Sequence, residues 1–579
     1  PYPDIVMDLT ATAAHESVVL NWTENLETDL VARYAVYKSD SSGFTPASSD
    51  SVGQVTDTTT FTVMGLTNLT SYYFRVKAIN TSNQAGDYSN QRTATPEYMG
   101  PKWYVDTDSD TSSGEGSPDY PAKYIRDMIE EATSGDTILV MPGIYNHSKN
   151  RNLNFQYNHD VFNSGVKNLV LISAYGPDST IIDLSGGDFI DFNNNENNSS
   201  KIIGFTITNS NSGAIDIYQS NPAIDNCIFL DNESSDNGGA ININGGTNGG
   251  IVSISNTLFK LNVIAQNTGN RGGAINFQGD GSVAYIENCI FYENSTEDRG
   301  GAINQDNGSH LVILQSLFVD NTANNGPGGV NSFAGMYGGT VTIINSIFTG
   351  NVNSTGSSEQ DISTVQYVMD IDHCILQSNS NPVFDYGENY VSDPLINDPE
   401  NGDFSLKEFS HAIGLGTDEY YNPFSEDNED IPTTDFGDNA RPQPEGSNPD
   451  LGPIEHERSE YRRAVYYVDD ANGDDEDPGL TIATAVKTIA NALTKSSNGD
   501  TLELAAGTYS GTDNRNLNMD GLTRVLRTSS GPASTIIDCE NQAPAFVFDT
   551  DESDSVHISG LTIINGSSEN GGAVSISGA

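Results

Sequence analysis

Apolar residues fall along this chain in short runs that alternate with polar ones, and from about residue 200 the runs repeat. CIFLDN (227–232), TLFKLN (257–262), CIFYEN (289–294), SLFVDN (316–321) and SIFTGN (346–351) share one plan. Phe229, Phe259, Phe291, Phe318 and Phe348 recur at intervals of 30, 32, 27 and 30 residues, and an Asn follows each three places later. A second phrase alternates with the first: GGAI at 238, 272 and 300, GGV at 328 and GGAV at 571. A period of this size marks a solenoid. The runs are rich in Ile, Val, Phe and Thr, and no helical face can be drawn through GSVAYIENCIF (281–291), so the repeat unit is built of strands. The pattern therefore predicts a parallel β-helix whose rungs rise about 4.8 Å each. Equivalent phenylalanines stack inside, equivalent asparagines form an amide ladder, and Gly-Gly makes the tight bend where positive φ is needed.

Residues 1–97 follow a different rhythm. SVVLNWT (17–23), RYAVYKS (33–39) and SYYFRVKAIN (71–80) alternate with period two, and polar turns separate them. The stretch resembles a fibronectin type III domain. Trp22 stands at that family's core tryptophan, and GLTNLTSYYFRV (65–76) matches its tyrosine corner, with Tyr72 as the corner residue. The resemblance implies a spacer or binding-aid module. No Arg-Gly-Asp appears.

The solenoid needs covered ends. YPAKYIRDMIEEA (120–132) places Tyr124, Ile125, Met128, Ile129 and Ala132 on one helical face, which predicts a capping helix before the strand of GDTILVMPGIY (135–145). The opening WYVDTDSD…GDTILVMPGIY resembles the entry of bacterial right-handed β-helix proteins. SDPLINDPENGDFSLKEFSHAIGLG (392–416) resembles their last coil, and DFGDNARPQPEGSNPDLGPIE (435–455) their closing tail. Then the plan restarts. VYYVDD (465–470) echoes WYVDTD (103–108), GDTLELAAGTY (499–509) echoes 135–145, and GPASTIID (531–538) echoes GPDSTIID (176–183). The expected organisation is all-β: a fibronectin type III sandwich at 1–97, a right-handed parallel β-helix at 101–418, a closing tail and irregular linker at 419–464, and the start of a second β-helix at 465–579. The chain begins at Pro1, and it is expected to be a piece of a longer or processed protein.

Charge narrows the partners. With 79 acidic and 25 basic residues the formal net charge is −54, which disfavours nucleic acid and anionic lipid and favours cations. No apolar run is long enough to span a membrane. Cys227, Cys289, Cys374 and Cys539 lack metal-site spacing. Cys227 and Cys289 share a column two rungs apart, nearly 10 Å, beyond disulfide reach, so buried free thiols are expected.

Candidate chemistry is sparse. Arg271 and Arg299 flank the Gly-Gly bend on neighbouring rungs, with side chains expected in solvent near Asp298 or Glu297. Lys260, Asp231 and Asp320 lie beside the Phe-x-x-Asn phrase. A carboxylate–base cleft assembled from these five would serve a polysaccharide lyase or glycoside hydrolase. His310 and His373 are expected to be structural. Asp106, Asp108 and Asp110 in DTDSD, and Asp469, Asp470 and Asp474 in DDANGDDED, alternate as calcium-binding loop acids do, without the Gly and terminal Glu of an EF-type loop. Structural calcium is the only cofactor expected. No nucleotide loop, zinc signature or nucleophile elbow is present.

Alternating Gly-Gly-Ala-(Ile/Val/Leu) and Phe-x-x-Asn, over 205–351 and again at 571, resembles the repeat of the polymorphic outer-membrane proteins. That resemblance implies a secreted or cell-surface, adhesin-like protein that is monomeric and binds polysaccharide, glycoconjugate or host surface. Two alternatives stay open: an enzyme of the pectate-lyase-like β-helix class, and a rigid stalk.

Overall fold

The computed structural model describes residues 2–110, 114–156, 166–245, 250–265, 269, 271–333, 339–355, 361–365, 368–377, 388–425, 427–459, 463–497, 499–519, 522–549, 556–568 and 571–577. They form two compact units, one of residues 1–143 with 155–174, the other of 144–154 with 175–579.

The first unit opens with two antiparallel sheets. Thr10–Ala14, Ser17–Asn21 and Thr60–Met64 make one; Ser51–Val55, Val31–Ser39, Tyr72–Asn80 and Arg92–Ala94 make the other. Period-two alternation sends Val18, Leu20, Val36, Phe74 and Val76 inward, all fully buried. Trp22 packs edge-on against Tyr34, with ring centroids 5.2 Å apart. The Tyr72 hydroxyl accepts the Thr67 N–H at 3.1 Å, as a tyrosine corner requires.

The same unit then changes to parallel pairing, with Thr137–Val140 between Lys102–Val105 and Val170–Ser173. Helix α1 (Ile125–Glu131) buries Ile125, Met128 and Ile129. It is shorter than the 120–132 expected from its apolar face. Ala122 is held extended instead, because its N–H donates to the Tyr104 carbonyl while its own carbonyl accepts the Asp106 N–H.

In the second unit each rung of the solenoid carries up to four short parallel strands. One rung reads Ile251–Ser255, Leu258–Lys260, Val263–Ile264 and Ile275–Gln278. Register is strict: Phe229 lies over Phe259, then Phe291, Phe318 and Phe348. Their rings stack nearly parallel at 5.0, 4.9, 4.7 and 4.4 Å. All five rings are fully buried. Truncating one would cost about 3–5 kcal/mol.

The amide ladder forms as expected, but inside. The Nδ2 of Asn232, Asn262, Asn294 and Asn321 donates to the next Oδ1 in the column at 2.9–3.1 Å. Each Nδ2 also reaches back to a carbonyl of the rung before, such as Phe259 for Asn294. The column is at most 1% exposed, so it presents no ladder face for a ligand. Its work is to satisfy turn backbone that burial would leave unpaired. A second column was not foreseen: Asn242, Asn276, Asn304 and Asn331, each donating to the one before, headed by Asp216.

The two glycines of the Gly-Gly bend differ. Gly238, Gly272 and Gly300 have φ of 72°, 76° and 68°. At Gly239 and Gly273 an added Cβ would lie 2.0 Å from the next rung's carbonyl oxygen. The first glycine is needed for its left-handed conformation, in which a Cβ would also meet the carbonyl oxygen three residues on at 2.1–2.2 Å, and the second for close approach of the next rung. Cys227, Cys289, Cys374 and Cys539 are buried free thiols, and burial pushes the first up to about 12.

The segment after residue 418 is packed, unlike an irregular linker. A hairpin (Glu419–Asn422 with Asp427–Asp430) seats Tyr420 and Ile431 on Val312, Leu314 and Ile344 of the solenoid. Arg441 and Glu455 form a 2.8 Å ion pair with both side chains at most 1% exposed, and Arg441 Nη1 donates to Asn288 Oδ1 at 2.9 Å. Beyond it, Val465–Val468, Thr501–Leu504 and Val525–Arg527 start a second parallel stack, beside helix α2 (Ile489–Lys495).

Candidate functional site

The residues singled out in the sequence do not converge. Asp231 and Asp320 occupy one left-handed turn column with Leu261, Glu293 and Gly350 between or beyond them. Three rungs separate the two carboxylates, about 14 Å. Burial, then the charges of Glu293 and Glu400, raises the Asp320 pKa. The Lys260 Nζ lies over the Tyr292 ring, 4.9 Å from its centroid.

Arg271 is mostly covered, in contrast to the expected solvent position. Its Nε lies 3.1 Å from Asp298 and its Nη1 2.7 Å from Asp306, so it ties two rungs together. Arg299 Nε lies 3.9 Å from Asp298, with the side chain against Gly326. His310 meets Phe424 edge-on at 4.8 Å and Thr340 Oγ1 at 3.1 Å. His373 Nδ1 sits 2.9 Å from Asp372, which raises the imidazole pKa.

The loop acids bind their own turns. Asp106 Oδ1 accepts the Asp108 N–H, Asp469 accepts the N–H groups of Ala471 and Asn472, and Asp474 accepts that of Glu476. Asp110 and Asp470 are exposed or half-buried neighbours in those loops. Among the described residues no three His, Cys, Asp or Glu side chains group to hold a metal ion.

Two other constellations emerge. The first is a groove of about 520 Å³ on the outer face of the second stack. Strand alternation turns Tyr466, Leu502 and Leu526 inward and Tyr467, Glu503 and Arg527 outward, where register sets the latter three side by side. Glu503 Oε2 accepts Arg527 Nε at 2.7 Å and its Oε1 accepts the Ser529 N–H at 2.8 Å. Arg527 is half-exposed, and its terminal N–H groups have no partner among the described residues. Asp469 and the exposed Ile482 complete the rim.

The second is an acid pair heading the second Asn column. Asp191 and Asp216 are register partners on Ile190–Phe192 and Ile215–Tyr218. Burial, with the charges of Asp216 and Asp188, pushes Asp191 up to about 6. Burial also raises Asp216, opposed by its bond from Asn242. Aligning FIDF (189–192) and AIDI (214–217) with the GGAIN phrases would have found this pair. The groove has no such signal, because its residues are spaced 36 and 24 apart.

Comparison with known proteins identifies the N-terminal module. Residues 4–95 match the family model of the fibronectin type III domain. No curated protein matches the chain. Among solved structures, the FN5 domain of Drosophila Lar is 25% identical at TM-score 0.14, covering 16% of this chain and 96% of that one. A β-1,2-glucanase from Parabacteroides distasonis is 18% identical at TM-score 0.15, over 17% of this chain and 14% of the glucanase, so only a small part of that enzyme is spanned. Pectate lyase Pel9A is 15% identical at TM-score 0.33, over 61% of this chain and 96% of that one. The chain is thus an N-terminal fibronectin type III sandwich followed by parallel β-solenoid, nearly all β. No helix among the described residues is long and apolar enough to cross a membrane.

Proposed function

We propose that this is a secreted or cell-surface, non-catalytic saccharide-binding protein whose site is the Tyr467–Glu503–Arg527 groove. One observation carries the reading: an open groove is lined by an aromatic side chain and, two strands on across Glu503, by an arginine whose Nε is held by that carboxylate and whose outer edge is unused. An apolar ring face packs on the C–H face of a sugar, while a fixed guanidinium and carboxylate exchange hydrogen bonds with neighbouring hydroxyls. The net charge of −54 favours a neutral glycan over a polyuronate. The engagement of Arg271 by two carboxylates, and of Lys260 by Tyr292, argues against their use as lyase bases. The likeness of the repeats to polymorphic outer-membrane proteins supports a surface setting.

The test is a glycan array followed by calorimetry, with neutral and uronate oligosaccharides as separate arms. Tyr467→Ala and Arg527→Ala should each weaken neutral-glycan binding about tenfold. Binding that ignores both substitutions removes the groove from the account. An ultraviolet-absorbing unsaturated product from uronate polymers, lost on changing Lys260, Arg271 or Arg299, overturns the non-catalytic reading.

The Asp191–Asp216 pair favours a second reading, a glycoside hydrolase. Two half-buried carboxyls on adjacent rungs, about 4.8 Å apart, approach the close carboxyl spacing that retaining glycoside hydrolysis uses. Glycan cleavage abolished by Asp191→Asn would establish it.

A further inference from the structure

We propose that the groove of the second stack takes N-acetylated hexosamines, with the acetamido group seated in an apolar recess beside Asp469. This assignment rests on the groove reading above and names its ligand class. The lining of the groove is of two kinds. Glu503, Arg527, Ser529 and Ser530 are polar, whereas Ile482, Ala485, Ala505 and Ala506 are small or apolar. Backbone pairing gathers the second set. Val468 pairs with Leu504, which sets Ala505 across from Asp469, and it bridges to Val486, which sets Ala485 across from Tyr467.

The recess follows from three small side chains. The start of the first solenoid is paired in the same way, Val105 with Val140 and Val105 with Ala122. It carries Pro121, Met141 and Pro142 at the places of Ala485, Ala505 and Ala506, and it keeps the aspartate, Asp106 for Asp469. Core packing does not require the smaller residues at 505 and 506, because Ala505 is half-buried and Ala506 exposed. At the mouth, Ile482 is 76% exposed, an apolar wall that water covers. Asp469 has acceptor capacity to spare. Its Oδ1 accepts the Ala471 and Asn472 N–H groups, while among the described residues its Oδ2 accepts Asn472 Nδ2 alone, at 3.0 Å. The Asn472 side chain holds the carboxyl below its ordinary range, so it is ionised at neutral pH.

A ligand that fills the recess must bring a methyl-sized apolar group and an N–H donor next to it, on a ring that lies along Tyr467. A plain hexose turns a hydroxyl toward Ile482 and the alanines, where it loses water without gaining a partner. A 6-deoxyhexose or an O-acetyl ester brings the methyl group but no donor for Asp469. An acetamido group brings both. Its methyl packs on Ile482, Ala485 and Ala505, its N–H donates to Asp469 Oδ2, and the Arg527 edge and the two serine hydroxyls are available to its carbonyl. It is also neutral, so the net charge of −54 does not repel it.

Calorimetry on the full chain at neutral pH would compare ligands in pairs that differ at this group alone. The β-1,4 trimer of N-acetylglucosamine is set against cellotriose, and methyl N-acetylgalactosaminide against methyl galactoside. In at least one pair the N-acetylated member should bind about tenfold tighter, for one buried methyl group and one hydrogen bond to a charged acceptor. Ala505→Met, which restores the side chain of the first solenoid, should erase that difference. Ile482→Ser, at an exposed position that folding does not need, should reduce it about threefold. Equal binding within both pairs, or a preference that survives both substitutions, overturns the acetamido assignment and leaves the groove reading standing. Binding of none of the four ligands also overturns it, and the groove reading is then decided by the array with Tyr467→Ala and Arg527→Ala.

Discussion

The two solenoid entrances are built to one plan and differ in one column. In both, a helix of seven residues lies beside the first strands: α1 in the first unit, α2 in the second. Inward positions match in kind: Trp103, Ile138 and Leu171 at one, Tyr466, Leu502 and Leu526 at the other, all buried. Asp136 accepts the Thr133 N–H at 2.9 Å, and Asp500 accepts the Ser497 N–H at 2.8 Å, each three residues back. A buried cation finishes each helix end: Lys167 donates to the Ile129 carbonyl, and Arg524 to that of Ser496 at 2.7 Å. Outward, the first entrance aligns Tyr104, Leu139 and Ile172, while the second aligns Tyr467, Glu503 and Arg527. Inward residues are constrained by packing and by buried backbone. The outward column carries neither constraint, so it is where two copies of one plan can acquire different chemistry.

The largest break in this comparison should come from inside. Ile138→Ala and Leu502→Ala each empty a fully buried position, and each should cost about 3 kcal/mol, read as lost hydrogen-exchange protection confined to its own entrance. A loss spread evenly over both entrances would mean that they do not fold as separate structures.

Acid should act where the last coil of the first solenoid, with His411, feels the charge of Arg524 from the second entrance. Burial, then the Arg524 charge, holds His411 down to about 4. It contacts Ser392 Oγ and the Tyr390 ring and remains neutral in the folded protein. In the unfolded chain it binds its proton near pH 6.5, so stability is fully present above that pH and is lost as the pH falls toward 4, by about 3 kcal/mol at most. Denaturation followed against pH should show this slope, and His411→Phe should flatten it.

Replacing Asp136 or Asp500 by Ala removes the acceptor of a buried N–H, that of Trp103 Nε1 or of the Ala464 backbone, for about 2 kcal/mol each. A negligible effect at either site would show that the shared motif is not structural there. The smallest stability effect belongs to the double change Glu503→Leu with Arg527→Ile, which gives the second entrance the outward column of the first. A half-exposed ion pair contributes less than about 1 kcal/mol, so thermal unfolding should hardly move while saccharide binding disappears. Retained binding would locate the ligand elsewhere.

Which parts could be read in advance follows from spacing. The phenylalanine stack, the inner asparagines, the first glycine of each bend and the unpaired thiols were legible, because each recurs at nearly one period and a parallel coil superposes equal positions. The second column from Asp216 to Asn331 was equally regular, and Asn242, Asn276 and Asn304 stood in plain sight in the AIN phrases. Arg271 was placed at the right turn, yet its reach across to Asp298 and Asp306 depends on side-chain direction, which spacing does not encode. Tyr467, Glu503 and Arg527 come from rungs of unequal loop length, so no periodicity links them.

The amino-acid sequence by itself determined the architecture: strand alternation set the sandwich, and a recurring Phe, Asn and Gly-Gly period set the coil. That is a local and repeated instruction, enforced at each rung by backbone pairing and burial. Tertiary structure alone decided the sites. It gathered Ile482 and Ala505 into one groove, put Arg527 beside Glu503, and hid the asparagine ladder within the coil. Contacts of that kind depend on loop lengths and on which side chains reach solvent, and both are settled only when the whole chain has packed.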